Sequence, residues 1–397
     1  MGLDGQTRCI PLVSLKAIFH EQSSQPLRGL SMPGYRRKVP LLASSVSNEG
    51  MKRLPLFVLL MGLCSIAVGQ DDLRIAYHDG LYGYVDRSGS WVIEPRFIEA
   101  SGWEDGAARV TLPNGDYAFI DSNGKYLMRP QRFQRLGYLS EGLAFFEPEG
   151  NPGTSDINPG FINNVGFIDA AGHVVITPHF FAAYDFSEGV AGASVKFDKC
   201  GYIDKQGNFV IEPTFEFPSY QACGPFSEGL AHVMKGGKFG YIDHTGSFVI
   251  RPIYDYAYDF SDGYAVVGIG SRYLFIDKRG AALGASSYGF ARAFSERLAP
   301  VVPNDKWGFI DKSGALAIPA KYEEVGDFSE GLAWVRINGR CGYINMHGDL
   351  VVPPKYDRAS DFWNGMAEVV QNQTPEGGPG ARTIIDTAGT PVLLGKK

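Results

Sequence analysis

The chain has 397 residues, with 37 Lys and Arg against 43 Asp and Glu, a formal charge of −6. Its 50 glycines and 24 prolines require many turns, while 13% aromatic residues supply bulky apolar side chains for a core, which excludes a disordered chain. The acidic balance argues against nucleic-acid backbones and anionic membrane surfaces as partners.

Residues 1–50 show neither pattern nor repeat. Met51-Lys52-Arg53 then opens a basic start, followed by an apolar run and a small-residue end at Ala67-Val68-Gly69, the three parts of a secretory signal peptide. The run is shorter than the ~20 residues that span a bilayer as a helix. Residues 51–69 are therefore expected to be a signal peptide, translation to begin at Met51, and 1–50 to be an untranslated upstream extension. The alternative is a basic tail before a buried or interfacial helix. A lipid-modified Cys64 is disfavoured because Leu63 and Met61 stand where small residues are required. Of the charged residues, 8 basic and 3 acidic lie in 1–69, which leaves 29 and 40, a formal charge of −11 for the remainder.

From residue 70 to 397 one phrase recurs. It reads GYVD ending at Asp86, AFID at Asp121, GFID at Asp169, GYID at Asp204 and GYID at Asp243, then LFID at Asp277, GFID at Asp311, GYIN at Asn345 and TIID at Asp386. The steps are 35, 48, 35, 39, 34, 34, 34 and 41. A second phrase, of the form Phe-Ser-Glu-Gly-Leu-Ala-x-Val, keeps the same phase from Gly106 to Gly365. Eight copies occupy about 73–370 and a half copy follows at 382–394. Such a period marks a stacked array, since a unit of this size cannot bury its apolar face alone.

Each part of the unit has a physical reading. Gly-aromatic-Ile-Asp is a β-prone run, and Asp-x-x-Gly is a turn whose carboxylate bonds amides two residues on and whose glycine takes the left-handed conformation. Val-Ile-x-Pro is a second strand, expected to stop at Pro95, Pro178, Pro213, Pro252, Pro319 and Pro353 because proline has no amide donor. Ser-Glu-Gly is a second turn, and Leu-Ala-x-Val a third strand pairing with the next Gly-aromatic run. No stretch keeps helical spacing.

Catalytic residues should break the repeat, and few do. The recurrent aspartates all open the same turn. His78, His173, His179, His232, His244 and His347 stand where other copies carry exposed polar residues, and no His-x-x-x-His or Cys-x-x-Cys pair points to zinc. Asp185 with Glu188, Asp259 with Asp262 and Asp327 with Glu330 could each contribute to a weak calcium site, but the dense alternating ligands of strong calcium loops are missing. No catalytic, metal or cofactor site is expected. Cys200 and Cys341 share one repeat position four units apart; a Cys200–Cys223 bridge is possible in an oxidising compartment, with buried free thiols as the default.

The run Lys306-Trp307-Gly308-Phe309-Ile310-Asp311-Lys312-Ser313-Gly314 resembles the WG-repeat (KWG-repeat) family, and the likeness covers about 73–394. Only Trp307 keeps the tryptophan; Tyr82, Cys200, Phe239 and Cys341 replace it elsewhere. The resemblance implies bacterial repeat proteins, often exported, that serve as interaction scaffolds without a common activity.

The expected architecture is all-β: tandem three-stranded repeats in an open β-solenoid or superhelical array, with a closed propeller-like ring as the alternative. The expected function is a non-catalytic scaffold, secreted, periplasmic or associated with the cell envelope, that binds a protein, peptide or glycan. The rival is a surface-polymer hydrolase with a carboxylate site. Two long insertions, between Phe146 and Val165 and between Val370 and Ile384, fall in the same hairpin and so on one edge of the array, and insertions on one face often mark the binding face. Candidate contact residues are Asn151, Asp156, Asn158, Asn163, Gln373 and Glu376 in these insertions, and the aromatics Tyr254, Tyr256 and Tyr258, expected to be exposed.

Overall fold

The computed structural model describes residues 73–150, 164–196, 198–217, 223–372 and 380–392. The expected extension and signal peptide, Cys64, and the candidates Asn151, Asp156, Asn158, Asn163, Gln373 and Glu376 lie outside these residues. Among the described residues there are only strands, all paired antiparallel. They form eight sheets, seven of one unit each and a seven-stranded one spanning two units, so there are nine units. The half copy at the end completes the ninth.

Units have four strands rather than three where they are complete, as in the sheet of Glu324–Val325, Leu332–Ile337, Arg340–Asn345 and Leu350–Tyr356, which pair in that order. The added strand is only two residues long. It lies beside the Leu-Ala strand, with Glu324 opposite Arg336 and Val325 opposite Val335. The outer strand also departs from expectation. It runs through its proline, as in Phe209–Glu216 and Leu350–Tyr356. The register shifts beside that proline, between Cys200 and Tyr202 opposite Pro213. The shift forms a bulge in which an amide donor is not needed.

Both turns follow from their residues. Asp204 accepts the amides of Gln206 and Asn208 at 2.9 Å through one carboxylate oxygen, and Gly207 closes the turn at φ 84°. In Ser187-Glu188-Gly189-Val190 the end residues exchange two backbone bonds while Glu188 and Gly189 both have positive φ, 54° and 89°. This is the two-residue hairpin turn whose twist matches the strands it joins.

Packing between units repeats as regularly as the chain does. Nine apolar clusters bridge pairs of units: eight join successive ones, such as Phe309, Ile318, Tyr322, Phe328, Val335 and Ile344, and the ninth joins Ala76, Val85 and Trp91 of the first unit to Met366 and Ile384 of the last. A fully buried Phe or Leu in such a cluster contributes about 1.5–3 kcal/mol. Gly207 sits so close to the preceding unit that a Cβ there would lie 2.9 Å from Ile176 Cγ2, so this glycine serves contact as well as turn. Phe328 and Phe362 meet the aromatic side chain of the preceding unit edge-on, at 4.9 Å from Phe309 and 4.8 Å from Tyr343.

Two polar ladders run along the array. The turn serine donates its hydroxyl to the carbonyl of the next unit's turn phenylalanine, from Ser140 to Phe186 through Ser329 to Phe362, at 2.6–2.8 Å. The turn acid accepts the next unit's turn amide: Glu141 from Gly189, Glu188 from Gly229, Glu228 from Gly263, Asp262 from Arg297, Glu296 from Gly331 and Glu330 from Gly365.

Cys200 and Cys223 form a disulfide, tying the fourth unit's Gly-aromatic strand to the segment leading into the fifth. The default expectation of free thiols is thus corrected for this pair, whose Cα atoms lie 6.3 Å apart. Cys341 is free and buried.

Candidate functional site

Because the Ser-Glu-Gly and Asp-x-x-Gly turns begin and end the same antiparallel pair, they lie at one end of every sheet. The hairpins joining each Leu-Ala strand to the next Gly-aromatic strand lie at the other. Both insertions leave from that second end, between Leu143–Pro148 and Val165–Asp169 and between Met366–Gln371 and Ala381–Asp386.

The same end carries a run of aromatic rings across the sixth and seventh units. Tyr256 faces Tyr273 at 6.2 Å between centroids, Tyr273 faces Phe290 at 5.3 Å, and Phe290 meets Trp307 at 5.6 Å. Tyr256 and Phe290 are 51% and 41% exposed, and Tyr258 is 43% exposed. Tyr258 shares a hydrogen bond with Tyr273, and partial burial raises its phenol pKa. Arg292 lies 5.0 Å over Trp307 and donates to the Val325 carbonyl at 2.7 Å. Two short strands, Tyr256–Ala257 and Phe290–Ala291, place the rings that alternate with Tyr273 and Trp307.

Of the three tyrosines proposed from sequence, Tyr256 and Tyr258 join this strip and Tyr254 does not. Tyr254 is 4% exposed, in the core position that Tyr322 and Tyr356 fill in later units, because it faces inward at the end of the outer strand.

A model of the WG containing repeat matches residues 82–115, 166–196, 201–239, 239–273, 307–341 and 342–374, more than half of the chain. The protein belongs to the WG-repeat family. Trp307, which keeps the tryptophan of the family's motif, thus stands in the strip, paired across the sheet with Tyr322. No curated protein matches the chain. Among solved structures, a eukaryotic initiation factor is similar at 10% identity over 80% of this chain and 93% of its own, with a TM-score of 0.56. BamB from Moraxella catarrhalis is similar at 9% identity over 75% and 97%, with a TM-score of 0.42. At 10% identity the likeness to the initiation factor speaks for the fold alone.

The WG-repeat units also carry a row of inner carboxylates. The two acids of each Asp-Phe-Ser-Glu phrase part company. Glu188, Asp262 and Glu330 turn to the next unit's turn amide, whereas Asp259 meets His232 at 3.1 Å and Asp327 meets Arg292 at 3.2 Å. The carboxylate pairs weighed as weak calcium ligands thus turn to different partners, and among the described residues no group of three or more His, Cys, Asp or Glu is placed to hold a metal. His232, read as exposed, is 8% exposed and packs against Phe239 and Tyr241. His244 bonds Glu188 at 3.1 Å and stacks on Phe226.

Burial pushes the Asp185 carboxyl up to about 6, opposed by Arg109. Glu104 reaches solvent, but desolvation, then the Asp185 and Asp105 charges, bring it to about 7. Periodicity could not show this pair, because Glu104 replaces the turn serine and its neighbour Asp185 comes from two units further on.

Proposed function

We propose that the protein is an exported, non-catalytic binding platform whose partner docks on the hairpin end, with the Tyr256–Tyr273–Phe290–Trp307 strip as its main contact. The observation that carries this reading is the coincidence of that strip with the end from which both insertions leave. Large rigid rings give contact area at low entropic cost, and buried-edge aromatics dominate many interfaces. A disulfide between Cys200 and Cys223 supports an oxidising compartment, in keeping with a signal peptide over 51–69.

We also propose that the nine units close into a ring rather than an open solenoid. Three contacts between the first and last units support it. The ninth apolar cluster joins them, Arg74 donates to the carbonyls of Trp363 and Met366, and Arg382 lies 4.9 Å over the Tyr77 ring.

The test is cross-linking of the full chain in the cells that make it, followed by capture. A partner held by the native protein, lost with Tyr256→Ala plus Phe290→Ala and kept with Asp185→Asn, supports the reading. Equal capture by the strip variant defeats it.

A second reading, hydrolysis of a surface polymer, rests on Glu104 and Asp185, two carboxyls from different units whose protonation is shifted towards neutrality. It requires polymer turnover that Glu104→Gln and Asp185→Asn each abolish.

A further inference from the structure

The last three units share one guanidinium between two carboxylates. Arg292, from the seventh unit, approaches Asp327 of the eighth at 3.2 Å through Nε. Asp361, from the ninth, lies over Gly326, where a Cβ would come within 2.5 Å of its Oδ1 and 2.3 Å of Trp334 Nε1. The indole N–H of Trp334 donates to Asp361. Gly326 is thus the gap into which the ninth unit's carboxylate and the eighth unit's indole both fit. The Oδ1 atoms of Asp327 and Asp361 are shielded from solvent and have no well-aligned hydrogen bond.

The other charged or titratable groups around Asp361 do not neutralise it. Tyr343 donates its hydroxyl to the Ser360 carbonyl. Arg74 is held by Ser360 Oγ and the carbonyls of Trp363 and Met366, and its charge acts on Glu368, Tyr343 and Glu330 rather than on Asp361, while Glu368 pairs with Arg382. With both acids ionised, the group of Arg292, Asp327 and Asp361 carries one net negative charge, with one oxygen of each acid shielded from solvent. One proton removes it.

We propose that Asp327 and Asp361 form a proton-operated clasp that tightens the docking of the eighth and ninth units when the surroundings become mildly acidic. Burial first, then the Asp327 charge, raises the Asp361 carboxyl to about 6, with Arg292 and the indole bond opposing, and burial also raises Asp327. A carboxyl whose folded value lies above its ordinary one binds protons more readily when folded. The folded state therefore gains as pH falls through 6 and loses that gain as pH rises. For Asp361 alone, the folding constant should rise roughly tenfold between pH 7 and pH 5.

The experiment is denaturant unfolding of the full chain from pH 8 to pH 4.5, comparing each variant with the native protein so that contributions from Glu104 and Asp185 cancel. Asp361→Asn should remove about one tenfold step of the acid gain and leave stability at pH 8 unchanged or higher. Arg292→Gln should move the gain to higher pH and Asp327→Asn to lower pH, by withdrawing the cation and the repulsion respectively. These two variants keep the idea testable if Asp361→Asn fails to fold. A native pH profile in Asp361→Asn, or no displacement in both of the others, overturns the clasp.

Discussion

The carboxylate of Glu188 accepts the amide of Gly229 through both of its oxygens, at 3.2 and 3.0 Å, although 41 residues separate the two. Glu188 also holds a left-handed backbone, φ 54°, so its side chain offsets a conformation that few residues tolerate. Glu188→Ala should destabilise the array by about 1 kcal/mol, since the carboxylate is partly exposed, and Glu188→Gln by less. Denaturant unfolding gives the ordering, and an alanine variant as stable as the native protein would show that the ladder contributes nothing.

The Cys200–Cys223 bridge closes a loop with a sequence separation of 23 and links two units. Reduction, or Cys200→Ser with Cys223→Ser, is expected to lower stability by roughly 3 kcal/mol. Reductant should leave the double variant unchanged. Cys341→Ala, by contrast, should keep the response to reductant.

Tyr254 and Tyr256 are two residues apart and should behave oppositely. Tyr254→Ala empties a core position and should cost about 3–5 kcal/mol, whereas Tyr256→Ala, at an exposed ring, should change stability by about 0.5 kcal/mol or less. Capture of a partner should depend on Tyr256 in protein that remains folded.

Raised carboxyls also predict how stability responds to acid. Glu104 titrates at about 7 when folded, above its ordinary value. Its ionised form therefore weakens the fold at neutral pH, and the weakness disappears as pH falls below 7. Glu104→Gln should unfold at a higher temperature than the native protein at pH 8 and at a similar temperature near pH 5. Thermal scans across that range check it.

Much of this architecture is legible in the sequence, because a turn announces itself through residues that few other positions accept. Asp204 and Gly207 could be read as a turn from type and spacing alone. The two-residue strands could not: Ala182–Ala183 and Arg358–Ala359 share no pattern beyond a small second residue. Partners across units were hidden as well. Ser227 was readable as a turn residue, but its bond to the Phe260 carbonyl depends on how neighbouring sheets stack. His232 looked exposed because its position varies from copy to copy, yet that position packs inward over Gly224 in its own unit. Tyr254 was misread because residues two apart would share one face of a continuous strand, whereas the chain leaves one sheet after Tyr254 and enters the next at Tyr256.

The serine ladder joins units whose hydroxyl and carbonyl residues lie 46, 39 or 33 positions apart, with bond lengths of 2.6–2.8 Å in every case. Chain length between rungs is therefore a free variable, while the spacing between units is set at the turn end. A foreign peptide or small domain spliced between the strands Leu143–Pro148 and Val165–Asp169 would ride on the array as cargo on a fixed mount. Guests in successive hairpins would project side by side from one rim, at intervals dictated by the host.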